Sequence, residues 1–488
     1  MIRLWGGVGT RVNGVSNLIM NRPNAVVVFS LLFALASIWT CRMPKMCLYK
    51  QSTCAEPIVI TAAPSIIIAP PKDPLNERTV DLSKADSPFI AWPLQRVCKE
   101  TQTWTPGLVF VCDNNSGGIG NIRTYILVCM RYAIEAGASG LVLPRIRTRD
   151  KKDLSDLMKD YKPFSYMFDE EHFRQSLKAA CPQITLYDSN SDIPNVPSKY
   201  EPVEIHPIEF GDRGSCDNRE LHHHIGRWGK LFWEWLERSA EEQNDKLEKA
   251  KKEKIVHPPT PEHPRLIRFK WGVLFNWPTW KDGPEFVATY GGLLRFRADI
   301  LYMGRKITGY MREFSAENGT HGGSGAFVGI HLRTEADALN FWPKYEEQAP
   351  AYLERASKLK YKALYLATGD EKEAQKFAKT ASKDYGMKVT TKYKLLKQHP
   401  EDKKIVDKWT WDQHALLDFV VMTEADYFLG ANPSSFSMGL AMKRHLKEDG
   451  LYTRPWKIGS DGDGRSWVVG HYDEYYTNWL YMYESMWP

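Results

Sequence analysis

The chain is poor in the residue patterns that identify most small catalytic or metal-binding modules. Its eight cysteines include no C-x-x-C pair, and none stands with histidine at zinc-ligand spacing, which excludes the common structural-zinc and thioredoxin-like readings. No strong charge bias is present either: 65 basic and 59 acidic residues leave a net charge of +6. That balance suits an anionic small molecule but not nucleic acid, which needs a concentrated basic face. Long apolar runs are missing except for Ala25–Thr40 (AVVVFSLLFALASIWT), held between Arg22 and Arg42. The run is just long enough for a thin bilayer, where ~17–25 residues are needed. It predicts a transmembrane signal anchor over 25–40 with residues 1–24 cytosolic and the body lumenal, in the Golgi or endoplasmic reticulum membrane. A signal peptide cut near Ala36 is the other reading of the same run.

Beyond this run the chain has the makings of a long folded body. Residues 41–92 are rich in proline and show no sustained period, as expected of a stem or linker. From 93 the pattern becomes β-strand, glycine-rich turn and helix: GLVFVCD (Gly107–Asp113), then Gly117-Gly-Ile-Gly-Asn121, then an apolar helix ended by Gly137 and a strand at Gly140–Leu143. The turn lacks both the Rossmann glycine spacing and the Lys-Ser/Thr of a P-loop. Glycines at a helix start nevertheless let backbone N–H groups approach an anion. Long helices are predicted at Leu231–Ile255 and Leu293–Met311, separated by the breaker His257–Pro264 (HPPTPEHP). The second half alternates regularly, with strands at Phe327–Leu332, Ala363–Ala367, Lys388–Thr391 and Tyr427–Leu429. Between and after them lie helices at Tyr345–Lys360, Glu371–Tyr385, Asp412–Met422 and Ser434–His445. Such βα alternation predicts an α/β fold in this half, with a parallel sheet and helices on both faces. The expected domains are 93–312 and 313–450, with an aromatic tail, 451–488, packing back on the body.

Ligands of open α/β sheets gather at the carboxyl ends of strands, so the strand-end loops hold the candidate site. FVGIHLRTEAD (Phe327–Asp337) places His331, Arg333, Glu335 and Asp337 there, with Arg333 as an anion binder. Thr368-Gly-Asp370 comes after the next strand, and GANPSSFS (Gly430–Ser437) sets Ser434 and Ser435 at a helix start, where hydroxyls and free N–H groups suit phosphate. Asp418 sits among apolar neighbours and must find a donor if buried; a guanine edge or a backbone amide could supply one. Cys98, Cys112, Cys181 and Cys216 are available for disulfides, and Cys129, inside an apolar helix pattern, reads as a buried free thiol. His222-His-His224 lacks further ligands at helical spacing, and no metal is expected.

Four of these stretches taken together, GGIGNIRTYILVCMRYAIEAGASGLVLP (Gly117–Pro144), GIHLRTEAD (Gly329–Asp337), YLATGD (Tyr365–Asp370) and LLDFVVMTEADYFLGANPSSFSMGLAMKRH (Leu416–His445), resemble the O-fucosyltransferase superfamily, closest in motif to the protein O-fucosyltransferases. The resemblance implies a GT-B fold of two Rossmann-like domains facing across a cleft. It implies fucose transfer from GDP-fucose to a protein or glycan hydroxyl, with inversion and without a metal or other cofactor. By position, Arg333 would stabilise the leaving diphosphate and Asn121 would face sugar and acceptor. His331 would contact the nucleotide, Asp418 the guanine, and Ser434, Ser435 and Phe436 the phosphates and nucleotide, with Gly118 and Gly120 in the opposing turn. The chain departs from the pattern in two places. Gly118 stands where some relatives carry a catalytic-base glutamate, leaving Glu335, Asp337 and Asp113 as base candidates, and Gly369 is inserted in the Thr-Asp loop. Another nucleotide sugar, or a lectin-like scaffold that keeps the fold, are the competing expectations.

Overall fold

The computed structural model describes residues 80–150, 153, 155–197, 200–206, 226–249, 254–318, 325–335, 342–449, 457–470 and 480–488. The apolar run 25–40, Cys216, the histidines 222–224 and Asp337 lie outside the described residues. Among the described residues no helix is long and apolar enough to cross a membrane. The end of the expected stem lies on the body, where Ser83 and Ile90 are buried and Lys84 pairs with Glu424.

Twelve strands form among the described residues: β1 (Thr105–Val111), β2 (Ala138–Val142), β3 (Ile146–Thr148), β4 (Asp160–Lys162), β5 (Thr185–Tyr187), β6 (Val203–Ile205), β7 (Arg265–Phe269), β8 (Val328–His331), β9 (Ala363–Ala367), β10 (Lys388–Thr390), β11 (Tyr427–Ala431) and β12 (Ser466–Val469). They build two five-stranded sheets, ordered β5-β2-β1-β7-β6 and β10-β9-β8-β11-β12, beside a β3-β4 hairpin. Every pairing within the two large sheets is parallel. Parallel strands are covered by helices on both faces and read as apolar runs, which is why Leu108–Val111 and all of β9 are buried.

Strand alternation divides the core of the second half. Ala363, Tyr365 and Ala367 of β9 face the apolar cluster that continues from the first half, whereas Leu364 and Leu366 face a second cluster with Val328, Ile330 and Leu353. The continuity runs through helix Ala298–Glu317, whose Gly304 lies so close to helix Trp411–Thr423 that a Cβ there would stand 2.3 Å from a Val420 methyl. The expected boundary at 313 therefore falls inside a helix. The C-terminal residues are buried too, with Tyr483, Met486 and Trp487 all under cover.

One expectation about cysteine is overturned. Cys129 is no free thiol: it is bonded to Cys112, and Cys98 is bonded to Cys181. Apolar periodicity correctly placed Cys129 on the inner face of helix Ile119–Glu135, but that face packs on β1, whose following residue is Cys112.

Candidate active site

In each large sheet the chain leaves the central strand in one direction and returns on its other side, so the crevice lies between β1 and β7 in the first and between β8 and β11 in the second. The carboxyl ends of those strands carry the Gly117–Asn121 turn, His331–Glu335 and Ser434–Phe436.

Arg333 is held from four sides. Its backbone N–H donates to Gln348 Oε1 at 2.9 Å, and Gln348 Nε2 donates to the Arg333 carbonyl at 2.8 Å. The guanidinium donates to Glu335 Oε2 at 2.5 Å and lies 4.6 Å from the centre of the Trp342 ring. Glu335 is buried and also accepts the Gly369 N–H at 2.6 Å. Burial alone would raise its carboxyl, but Arg333 and that N–H outweigh it and hold the group below the usual carboxylate range. A carboxylate so held is a poor proton acceptor and a good clamp, so Glu335 stands as the residue that positions Arg333. Asp113 is similarly engaged: Arg268 donates to its two oxygens at 2.8 and 3.1 Å.

His331 is neutral at ordinary pH. Burial pushes it down to about 4, with the carboxylates of Glu335 and Asp418 pulling the other way. Its Nδ1 hydrogen-bonds Ser437 Oγ at 2.8 Å, and its ring lies 4.5 Å from Phe436. Ser434 caps helix Ser435–Asp449, accepting the Ser437 N–H at 3.5 Å.

Two chains of contact join the walls. Gly120 abuts Ser435 so closely that a Cβ would lie 2.6 Å from both its carbonyl carbon and its hydroxyl. Gly120 therefore serves as the close-approach point between two helix starts. On the other side, a Cβ on Gly118 would meet Arg149 at 3.6 Å, and the Arg149 guanidinium lies 5.1 Å from the ring centre of Trp411. Trp411 Nε1 is in turn 3.3 Å from the Cβ position of Gly369. Asn121 lies inside this bracket, its amide nitrogen 3.0 Å from the Cβ position of Gly117. The inserted Gly369 thus has a structural role: its N–H holds Glu335, and a side chain there would press on both Glu335 and Trp411.

Asp418 is buried and already satisfied. Tyr365 Oη donates to one oxygen at 2.6 Å, and Lys392 Nζ pairs with the other. The donors are side chains from β9 and the helix start after β10, neither the guanine nor the backbone amide weighed from sequence. Lys392, Gln348, Trp342, Ser437, Arg149 and Trp411 were missed in the sequence, because each acts through a partner that no local pattern marks. Beside the site, Asp412 is buried against Tyr166 Oη at 3.4 Å. Burial pushes its carboxyl up to about 6, against the opposing charge of Arg149 and the Tyr166 hydroxyl. Among the described residues no group of three or more His, Cys, Asp or Glu could hold a metal ion.

The chain can be aligned with solved fucosyltransferase structures. One is POFUT1 in complex with GDP, at 15% identity over 76% of this chain and 100% of that one, TM-score 0.42. Another is the NodZ α-1,6-fucosyltransferase soaked with GDP-fucose, at 13% identity over 70% of this chain and 92% of that one, TM-score 0.33. A third, an Arabidopsis thaliana FUT1 mutant in complex with GDP, has 11% identity over 72% and 71%, TM-score 0.30. At these scores no residue position is carried across. No curated protein matches the chain. The family model, by contrast, runs from the second half of β1 almost to the end of helix Ser435–Asp449 and so takes in both walls of the cleft: the chain belongs to the GDP-fucose protein O-fucosyltransferase family, whose model matches residues 108–447.

Proposed function

We propose that this glycosyltransferase moves fucose from GDP-fucose to a hydroxyl of a protein or glycan in the secretory pathway, inverting the anomeric carbon and using no metal. The observation that carries the reading is the immobilised Arg333, clamped by Glu335 and Gln348 at the crevice of the second sheet. Breaking the fucosyl bond leaves negative charge on the GDP diphosphate. Arg333 offers that charge a fixed fork of donors, and the N-terminus of helix Ser435–Asp449 offers free N–H groups and a favourable dipole. Neutral His331 and Phe436 would line the nucleotide, and Asn121 would meet the sugar from the opposite wall. Gly118 and Gly120 would keep that wall's backbone low.

With Glu335 and Asp113 engaged by arginines, the reaction is driven by stabilising the leaving diphosphate: the C1–O bond to GDP breaks as the acceptor oxygen bonds C1, and the acceptor hydroxyl gives up its proton late, to solvent water.

The test is GDP-fucose hydrolysis and transfer by wild type and Arg333→Ala. Loss of one such preorganised donor costs about 3–4 kcal/mol of transition-state stabilisation, on the order of 10²–10³ in turnover, with circular dichroism unchanged. Equal turnover in both proteins would overturn the mechanism. Failure of the wild type to bind either GDP or GDP-fucose would overturn the donor assignment, and a donor panel led by a uridine sugar would do the same.

A further inference from the structure

Behind the catalytic crevice, at the seam between the two sheets, a small cavity of about 30 Å³ is lined by Ser87, Arg123, Gly291, Arg295, Phe419 and Lys443. These residues come from the N-terminal segment, the helix that starts in the Gly117–Asn121 turn, the loop before helix Ala298–Glu317, and two helices of the second half. Arg295 is neutralised by Asp169 at 2.6 Å. The other two cations have no ion pair among the described residues. Arg123 donates one guanidinium N–H to the Gly291 carbonyl at 3.0 Å, and its Nε is enclosed with no hydrogen-bond partner. Lys443 donates only to Ser87 Oγ, at 3.3 Å. The carboxylates that act on Lys443 are engaged elsewhere, Asp86 with Arg305 at 2.8 Å and Asp81 with Ser83 and Lys447.

We propose that this cavity is a binding site for a single small inorganic anion of halide size, chloride under cellular conditions, held between Arg123 and Lys443. Like charges brought together in an enclosed space repel and lose hydration, and an anion between them reverses both penalties. Burial and then Arg123 push Lys443 down to about 7. Burial likewise pushes Arg123 down to about 10. A single water needs about 10–15 Å³ of such space, so the cavity has room for one halide. The site bears on the crevice through aromatic contact: Phe419, one of its walls, stands 5.5 Å from Phe436, which rests 4.5 Å from His331.

The experiment measures the melting midpoint of the full chain in sodium chloride against sodium gluconate at matched ionic strength, for wild type and Lys443→Met. A ligand bound only by the folded state raises the midpoint saturably. Wild type should gain about 2 °C in chloride and Lys443→Met should show no difference between the salts. Wild type indifferent to chloride, or a variant that responds equally, would overturn the proposal. A second measurement covers the case in which the variant does not fold: crystals of wild type soaked in bromide should show an anomalous peak between the Arg123 and Lys443 side chains. Bromide scattered over the surface with none at that position would overturn it as well.

Discussion

Glu335 has both oxygens engaged before any substrate arrives, one by Arg333 and the other by the Gly369 amide. If it acted as a base, Glu335→Gln would abolish the acid limb of the pH–rate profile and leave GDP affinity intact. As a clamp it should instead lower kcat about 10²-fold and weaken GDP binding together, because Arg333 loses its counter-charge and its fixed direction; isothermal titration beside steady-state kinetics separates the two. His331 allows a second test. Unfolded, its pKa is ordinary, ~6.5, whereas the folded value is about 4. Between those values the unfolded chain binds more protons, so stability rises as pH climbs from 4 to 6.5, by on the order of 3 kcal/mol from this group. Asp412 opposes it: its folded value is raised to about 6, so its contribution falls as pH rises from about 4 to 6. Denaturant titrations should show a shallower rise for His331→Asn and a steeper one for Asp412→Asn. Sequence reading placed His331, Arg333 and Ser434 at the strand ends, because strand-end position follows from pattern. It left Asp418 without its partners, because Lys392 lies 26 residues away on another element and no local pattern marks that meeting.

Helix Ile119–Glu135 shows how an element can be legible while its attachments are not. Its apolar run and glycine-rich start were plain, yet Arg131 in its interior is buried and paired with Asp282 at 2.7 Å, with Trp277 Nε1 donating to the same carboxylate at 2.7 Å. Removing one partner of a buried pair costs about 3–5 kcal/mol. Asp282→Ala should therefore lose that much in urea unfolding, and an exposed pair such as Arg96–Glu100 should lose well under 1 kcal/mol when cut. The disulfide from Cys112 to Cys129 fastens the same helix across 17 residues, and Cys129→Ser should cost about 3 kcal/mol on loop entropy. Strand β7 escaped sequence reading altogether. RLIRF is five residues long, comes after a proline-rich breaker and carries two arginines, yet it sits beside β1 near the centre of the first sheet. Arg268 escapes the sheet by pairing with Asp113 at the strand end, and that long-range pairing is what makes a charged strand tolerable inside. Gly120→Ala should drive a methyl into Ser435 and separate the walls; transfer rate should fall more steeply than GDP affinity, since the proposed nucleotide contacts lie mostly on the other wall.

At the scale of the molecule, βα alternation sufficed to predict a parallel sheet in the second half, whereas the sheet of the first half was expected only from the resemblance, and the strand-end loops pointed to His331, Arg333 and Ser434 but not to the side chains that hold them. The register between the halves was beyond reach, because it rests on Gly120 against Ser435, Gly304 against Val420, and Arg149 over Trp411, contacts that no periodicity records. Both described disulfides, Cys98–Cys181 and Cys112–Cys129, lie in the first half, on the wall opposite Arg333. The covalent reinforcement of the enzyme is therefore lopsided. Under the proposed function, a chain produced in a reducing bacterial cytosol would emerge with a sound Arg333 wall and a slack opposite wall, able to capture GDP on an affinity resin while turning over little. Retention on such a resin would be a misleading measure of quality for preparations of this protein, and a thiol count after purification would be the better one.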